Sequence, residues 1–326
     1  MILRGIDFGP ICAASGVQGF FGEGYWYHKI LKPFGLDFKG CTFVAKTATL
    51  KPRKGNMPLR LDYTPAELKP SCIKVYPWEA SVINAVGLSN PGFEALFNTR
   101  KWQRRTRPFF LSFMAVSATI EERLEETREF VKLFQKYLKD FSAPVGLQVN
   151  ESCPNAKIQH DSLVEEARQR LDILSELNIP LMPKLNLLVS VRDAVRIMNH
   201  PACDALCITN TLPWKQIPWP YTETVNWTKF SQNGSPLEQI DKNGGGLSGR
   251  PLLEFVADWL NLARLEGFRK PIHAGGGILY PKDVDYLKRQ GANSVFIGSV
   301  AILRGWRVQS IIRRAYKVFR YKEALR

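Results

Sequence analysis

Short apolar runs alternate with longer amphipathic stretches along almost the whole chain. Most of the runs are continuously apolar, which is typical of strands that are buried on both faces of a parallel sheet. Eight runs of this kind are found, at residues 11–14, 43–47, 108–116, 144–149, 179–185, 205–209, 271–274 and 294–297. Eight strands with interleaved helices predict a single α/β domain folded as a (β/α)₈ TIM barrel, and a doubly wound open sheet is the alternative.

The amphipathic stretches carry helix start and stop signals. Thr119 and Glu122 have the spacing of a capping box, and an apolar stripe follows them. Ser190 is placed to cap a second helix, and residues 252–266 end at Gly267, a suitable helix terminator. We therefore expect residues 1–305 to form the barrel and residues 306–326 to form a basic C-terminal helix or tail.

Two irregular stretches interrupt this alternation. Five prolines lie within residues 50–80, after the second strand, and three tryptophans lie within residues 212–243, after the sixth. Long insertions in a barrel are usually lids or binding loops. An interface or a disordered insertion is the alternative for both.

Composition excludes several classes of protein. The chain has 326 residues, 45% of them apolar, so it can bury a large core, and it has no run of 18 apolar residues to span a bilayer. The six cysteines lack C-x-x-C spacing and the four histidines are scattered, so we predict free thiols and no metal site. A reducing, cytoplasmic location is the corresponding expectation.

The net charge of +15 is concentrated in two stretches. Residues 100–107 hold five basic side chains and no acid, and residues 303–326 hold eight basic side chains and one acid. We expect both stretches on the amino-terminal side of the barrel, opposite its active site, which argues against a nucleic acid substrate. The alternatives for these charges are a solvated surface, or a docking patch for an anionic membrane or a partner protein.

Candidate chemistry lies where the predicted strands end, because barrel enzymes place their active sites there. Four asparagines at or near these ends would offer the amide donors and acceptors that a flat heterocycle requires, although any one of them alone is better explained as a turn residue. They are Asn84, Asn150, Asn155 and Asn210. Glycine-rich turns after the seventh and eighth strands favour a cofactor that carries a phosphate group over turn chemistry alone.

Cys153 lies among polar residues in a strand-end loop, where a thiolate can act as a base or a nucleophile. No histidine is placed to pair with it, so proton abstraction is favoured over acyl transfer. Lys46 and Lys184, also at strand ends, could stabilise negative charge on a substrate or on a reduced cofactor.

These motifs resemble those of the dihydroorotate dehydrogenase family. Residues 150–155, Asn-Glu-Ser-Cys-Pro-Asn, are similar to the family's N-x-S-C/S-P-N signature, and residues 84–90 resemble its N-x-x-G-L-x-N stretch. The second-strand segment from Lys46, the sixth-strand pair Asn210-Thr211 and the glycine loops at 245–249 and 276–278 are similar as well. The resemblance runs from about residue 6 to about residue 305.

The resemblance implies a flavoprotein oxidoreductase that converts dihydroorotate to orotate in pyrimidine (UMP) biosynthesis. Cys153 would take the C5 proton while a hydride leaves C6 for N5 of FMN. The residues implied to bind the substrate are Lys46, Asn84, Gly87, Leu88, Asn150, Asn155, Asn210 and Thr211. Those implied to bind FMN are Ala14, Ser15, Gly16, Lys46, Thr47, Lys184, Gly249, Gly276, Gly277, Gly298 and Ser299.

A cysteine at the base position resembles the class 1 enzymes of the family. The quinone-linked class 2 enzymes use serine there and carry an amphipathic N-terminal extension, which we do not expect in this chain. Fumarate as the electron acceptor would fit a homodimer, whereas NAD would require an iron–sulfur partner subunit. Glu151 departs from the family, because it places a charge where an apolar residue is usual.

Two other interpretations compete with this one. An FMN-dependent reductase of RNA or free pyrimidine bases, resembling tRNA-dihydrouridine synthase, would share the barrel, the flavin and the cysteine. Its signature is closer to N-x-G-C-P, however, and residues after 305 leave no room for its RNA-binding domain. A catalytically silent barrel that acts as a partner subunit is disfavoured by Cys153 and the four asparagines.

Overall fold

The computed structural model describes residues 1–151 and 160–320 of the chain. Its strands are β1 (Ile2–Leu3), β2 (Ile6–Asp7), β3 (Ile11–Ala13), β4 (Ile73–Tyr76), β5 (Ser81–Asn84), β6 (Phe109–Phe113), β7 (Val145–Asn150), β8 (Leu181–Leu185), β9 (Leu206–Ile208), β10 (Leu212–Pro213), β11 (Gly246–Gly249), β12 (Ile272–Ala274) and β13 (Ser294–Ile297). Its α-helices are α1 (Trp26–Leu31), α2 (Phe93–Asn98), α3 (Ile120–Leu138), α4 (His160–Ser175), α5 (Val191–Met198), α6 (Leu252–Leu265), α7 (Pro281–Arg289), α8 (Val300–Leu303) and α9 (Val308–Arg320).

The core of the molecule is a curved sheet of parallel strands in the order β3-β13-β12-β9-β8-β7-β6. Segment 42–48 joins the two edges of this sheet, because Thr42 bridges β3 while Val44 and Ala48 bridge β6. The predicted barrel is therefore confirmed, and all eight predicted strands take part in it. The second strand does so through these bridges rather than through a regular ladder.

The amino-terminal end of the barrel is filled by the start of the chain. β1 and β2 pair antiparallel, and Leu3 and Phe8 pack with a cluster of buried residues from the barrel strands. The rings of Phe8 and Phe110 stack with their centres 4.2 Å apart. Because this end is closed by apolar side chains, the barrel can open only at the carboxyl ends of its strands.

The helix signals in the sequence match the structure. The Thr119 side chain accepts a hydrogen bond from the Glu122 amide at 3.2 Å, and the Glu122 carboxylate accepts one from the Thr119 amide at 3.1 Å. Ser190 caps α5 by accepting from the Asp193 amide at 3.1 Å. No helix within residues 1–151 and 160–320 is long and apolar enough to cross a membrane.

A second, antiparallel sheet was not predicted. It has the strand order β10-β11-β5-β4 and is built from the two insertions together with the glycine-rich segment that follows them. The insertions also pack on each other, since the Tyr76 hydroxyl donates to the Phe230 carbonyl at 3.0 Å and the centres of the Tyr76 and Phe230 rings lie 5.0 Å apart. The described insertions are therefore ordered layers beside the barrel mouth.

The C-terminal segment packs as the last helix of the barrel. Ile311, Ala315 and Phe319 of α9 are buried, whereas Trp306, just before α9, is 59% exposed. The predicted position on the amino-terminal side holds for Arg105, whose guanidinium lies 4.0 Å from the ring centre of Phe43 at the start of the second barrel strand.

That prediction is wrong for the first residues of the tail. Ile302 lines the cavity at the barrel mouth, and Arg304 follows it closely and donates to the Pro77 carbonyl at 3.2 Å. The reason is geometric, because the helical segment after the last strand must begin at the carboxyl end of that strand.

Helix α3 is held to the sheet by stacked phenylalanines. The Phe113 and Phe130 rings are nearly parallel, at 6°, with centres 4.0 Å apart, and Phe93 and Phe134 pack around them. All four rings are inaccessible to solvent. This cluster should therefore contribute strongly to the stability of the barrel.

Phe130→Ala should lower the free energy of unfolding by about 3–5 kcal/mol, because it leaves a cavity in this cluster. Phe34→Ala is the matched control, since that ring is 69% exposed, and its effect should stay within about 0.5 kcal/mol. Urea unfolding followed by circular dichroism measures both. Equal losses in the two variants would contradict this packing of the phenylalanine rings.

Candidate active site

A cavity of about 550 Å³ opens at the carboxyl ends of the barrel strands and is bordered by the antiparallel sheet. Its volume suits a small-molecule or cofactor site. Every predicted site residue within the described part of the chain lines it: Ala14, Ser15, Gly16, Lys46, Thr47, Asn84, Gly87, Leu88, Asn150, Lys184, Asn210, Thr211, Gly249, Gly276, Gly277, Gly298 and Ser299. Cys153 and Asn155 lie outside the described residues.

Two buried lysines bring positive charge to the cavity. Lys46 is 8% exposed, its ammonium group donates to the Ser89 carbonyl, and it lies 4.8 Å from the ring centre of Phe20. Burial lowers the pKa of Lys46 to about 8, although Cys72 and Glu23 oppose this shift. Burial likewise lowers the pKa of Lys184. A bound anion would stabilise the charged form of both lysines and would offset the free-energy cost of their burial.

The amide groups of three predicted asparagines lie on one wall. Asn210 Nδ2, just after β9, donates to Asn150 Oδ1 at the end of β7 across 3.1 Å. Asn84 Nδ2, at the end of β5, donates to the Gly246 carbonyl at 3.4 Å. The wall thus presents paired donors and acceptors, which a planar ring with alternating C=O and N–H groups can match.

The glycine loops bring bare backbone to another part of the cavity. Gly276 and Gly277 have φ angles of +127° and +76°, which L side chains rarely adopt. A Cβ at Gly277 would lie 2.9 Å from the Gly249 carbonyl oxygen and 2.8 Å from the Leu253 amide nitrogen. These loops can pack so closely only without side chains, and the result is a cradle of main-chain atoms that suits a phosphate group.

The cavity also includes residues that the sequence did not identify as part of the site. Tyr25 and Tyr27 stack with ring centres 5.9 Å apart, and burial raises the pKa of Tyr25 to about 12. Asp241 comes from the insertion after the sixth strand, and Arg53 and Asn56 from the insertion after the second. The periodic pattern carries no signal for these positions, because they lie outside the barrel strands.

A buried ion network lies directly behind the asparagine wall. The Glu151 carboxylate, next to Asn150, contacts the Arg170 guanidinium of α4, which also contacts Glu166. Arg123 of α3 donates to both Glu166 oxygens, at 2.7 and 2.8 Å. Arg170 and the two carboxylates have side chains at most 5% exposed. The charge at Glu151, which departs from the family pattern, is therefore neutralised within the fold.

The pKa values of the two carboxylates shift in opposite directions. Burial raises the pKa of Glu151, and the charge of Arg170 opposes this only in part. Burial also disfavours the charged form of Glu166, but the hydrogen bonds and charges of Arg123 and Arg170 hold the pKa of Glu166 below its ordinary value. The network ties the end of β7 to helices α3 and α4.

The chain matches the family model described as dihydroorotate dehydrogenase over residues 3–318. The catalytic subunit of dihydroorotate dehydrogenase B (NAD(+)) from Desulforudis audaxviator is 30% identical over 300 residues, which are 90% of this chain and 83% of that protein. Dihydroorotate dehydrogenase A (fumarate) from Lacticaseibacillus paracasei is 27% identical over 296 residues, which are 89% of this chain and 87% of that protein.

A solved structure has a similar fold. The ligand-free DHODH of Eimeria tenella gives a TM-score of 0.64 at 20% sequence identity, and the match covers 99% of this chain and 87% of that one. At this level of identity the likeness supports the barrel fold alone.

Arg170→Leu should lower the free energy of unfolding by about 3–5 kcal/mol, because it leaves Glu151 buried without its partner. Combining it with Glu151→Leu should restore more than half of the loss, since the apolar pair needs no charge compensation. Arg128→Leu removes a pair that is about half exposed and should cost less than about 1 kcal/mol. Urea unfolding of the four proteins tests the network, and a double variant weaker than Arg170→Leu would contradict it.

Proposed function

The chain belongs to the dihydroorotate dehydrogenase family of oxidoreductases, and we propose that it oxidises dihydroorotate to orotate with FMN bound in the cavity. The observation that carries this proposal is the convergence of all the described site residues on one cavity. Residues predicted for the substrate and residues predicted for the flavin come from different strands, yet they line adjoining parts of the same space.

The residues present fit FMN. The main-chain cradle at Gly276 and Gly277 suits its phosphate, and the stretch from Ala14 to Gly16 supplies a further part of the wall. The Ser15 and Thr47 hydroxyls hydrogen-bond at 2.8 Å and fix this stretch against the second barrel strand. Lys184 is buried close by and would stabilise negative charge on the flavin ring. When bound, FMN supplies N5 as the acceptor of the hydride from C6 of dihydroorotate.

The substrate would be held by amides and one cation. Asn84, Asn150 and Asn210 would pair with the C=O and N–H groups of the pyrimidine ring, and Lys46 would bind its carboxylate. The Lys46 ammonium already donates to the Ser89 carbonyl, which fixes its direction. Asn150 in turn is attached to the buried network through Glu151.

We assign removal of the C5 proton to Cys153, at the position of the base in the family signature. A thiol is a competent base once its thiolate is stabilised. This assignment depends on the sequence motif, because Cys153 lies outside the described residues.

The electron acceptor is proposed from the relatives. One relative is named for NAD(+) and described as a catalytic subunit, and another is named for fumarate. For this chain we propose one of the same two acceptors, NAD through an iron–sulfur partner subunit or fumarate directly. Fumarate added to the anaerobically reduced chain distinguishes them, because direct reoxidation without a partner subunit supports fumarate and its absence supports NAD.

Dihydroorotate should bleach the flavin absorbance of the FMN-loaded protein under anaerobic conditions. Cys153→Ala should slow this bleaching by about 100-fold or more, because a general base contributes on the order of 10²–10⁴ to the rate. FMN binding should be unchanged in that variant, and Cys41→Ala should bleach at the wild-type rate. Stopped-flow absorbance measures the rate, and persistent oxidised absorbance in the wild type would favour a catalytically silent barrel.

Orotate binding should weaken as the pH rises through about 8, where the buried Lys46 ammonium loses its proton. The sign follows from the lowered pKa, because Lys46 is charged below this value and neutral above it. The loss should be about tenfold or more, as expected for a hydrogen bond to a charged group. Titration of the flavin spectrum with orotate gives the Kd at each pH.

Lys46→Arg keeps its charge and should flatten this pH profile, whereas Lys46→Met should bind weakly at every pH. A wild-type profile that persists in Lys46→Met would assign the titration to another group.

A further inference from the structure

Exposed apolar side chains of the described residues concentrate on one face. Fifteen large apolar side chains are substantially exposed, and nine of them come from three short segments: Trp26, Ile30, Leu31, Phe34, Leu68, Val75, Trp78, Ile302 and Trp306. Scattered exposed apolar residues need no explanation, but a contiguous group marks an interaction surface.

Hydrogen bonds connect the middle segment to both of the others. The indole nitrogen of Trp26 donates to the Leu68 carbonyl at 2.9 Å, which joins α1 to the first insertion. The Arg304 guanidinium donates to the Pro77 carbonyl at 3.2 Å and lies 5.9 Å from the ring centre of Trp306. Trp78 is the next residue after Pro77 and is 94% exposed.

The first and last segments also contact each other. The Gln309 amide donates to the carbonyl of Gly35, the residue after Phe34, at 3.2 Å. Gly35 packs so closely on the Trp306 backbone that a Cβ there would lie 2.6 Å from the Trp306 carbonyl oxygen. The three segments therefore adjoin one another at the surface, and we call the region that they form the apolar face.

The apolar face is strongly cationic. Segments 26–39, 66–78 and 302–307 hold seven basic residues and two acidic ones. Lys29 and Lys32 are exposed and alternate with Ile30 and Phe34 along the same short stretch. His28 adds no charge at neutral pH, because burial lowers its pKa to about 4.

We propose that the apolar face docks on an anionic membrane surface. Exposed tryptophans and aliphatic side chains interleaved with lysine and arginine are the composition of peripheral membrane-binding surfaces. Protein interfaces are depleted of lysine, and a second copy of this chain would bring the same cations against each other. The lysine content and the positive charge of the face therefore favour lipid headgroups over another protein or a second copy of this chain.

The position of the face fits this occupant. Ile302 belongs both to the face and to the lining of the cavity, and Tyr25 and Tyr27 line the cavity on either side of Trp26. Docking would consequently place the rim of the cavity at the lipid surface. The proposal is independent of the proposed function, because lipid binding requires neither FMN nor dihydroorotate.

Sedimentation with lipid vesicles tests the proposal. The full chain should bind vesicles that contain phosphatidylglycerol and phosphatidylcholine at about 0.05 M salt, and binding should be about tenfold weaker or more at about 0.5 M salt. Binding to vesicles of phosphatidylcholine alone should be weaker than binding to the anionic vesicles by about tenfold or more. Failure to bind anionic vesicles at low salt would overturn the proposal.

Two sets of variants locate the binding surface. Ile30→Ser, Phe34→Ser and Trp306→Ser together should weaken binding by about tenfold or more, as should Lys29→Glu with Lys32→Glu. The apolar control combines Trp219→Ser, Leu262→Ser and Leu265→Ser, which are equally exposed elsewhere. The charge control is Lys132→Glu with Lys136→Glu, two exposed lysines of α3.

Both controls should bind vesicles as the wild type does, and all variants should keep the wild-type circular dichroism melting curve. Equal loss of binding in the face variants and their controls would overturn the assignment of this face. A dimer in size-exclusion chromatography that the face variants abolish, without vesicle binding by the wild type, would identify a second copy as the occupant instead.

Discussion

Closure of the parallel sheet determines where every other feature of the molecule lies. Segment 42–48 bridges β3 on one side and β6 on the other, so all eight barrel strands run in one direction and end at one rim. The opposite end is filled by the β1–β2 hairpin and Phe8. Residues from Ala14 to Ser299 can share one cavity only because the backbone brings their strand ends together.

The predictable parts of the fold are the strands that are buried on both faces. Strands covered on both faces are continuously apolar, so their number and positions could be derived from the sequence. The antiparallel sheet could not, because Gly246–Gly249 has the composition of a turn and becomes β11 by pairing with β5 and β10. The site residues on strand ends were predictable for the same geometric reason, whereas Tyr25, Tyr27 and Asp241 reach the cavity through tertiary packing that has no periodic signal.

Charge was the least predictable feature, because a sequence shows charges without their partners. Glu151 departs from the family pattern, yet it lies against Arg170, nineteen positions away, in a network that also includes Glu166 and Arg123. Glu151 is thus compensated by a cation within the fold, whereas burial lowers the pKa of both Lys46 and Lys184. A carboxylate or phosphate brought by a ligand would offset the burial cost of these lysines, so the cavity is electrostatically complementary to an anion before any ligand binds.

The tail shows how barrel geometry changes the meaning of a charge. A helix that follows a strand begins at the carboxyl end of that strand, so Arg304 and Arg307 lie on the same side as the cavity, although most of α9 runs away from it. Helix α1 follows the first barrel strand and is subject to the same constraint, which is why Lys29 and Trp306 belong to one surface. The chemistry of a barrel enzyme occurs at this rim. Docking of the cationic apolar face on a membrane would therefore place the entrance of the cavity at the lipid surface. The net charge of +15 is therefore uninformative as a total, whereas the position of some of these charges beside exposed tryptophans indicates which surface they can bind.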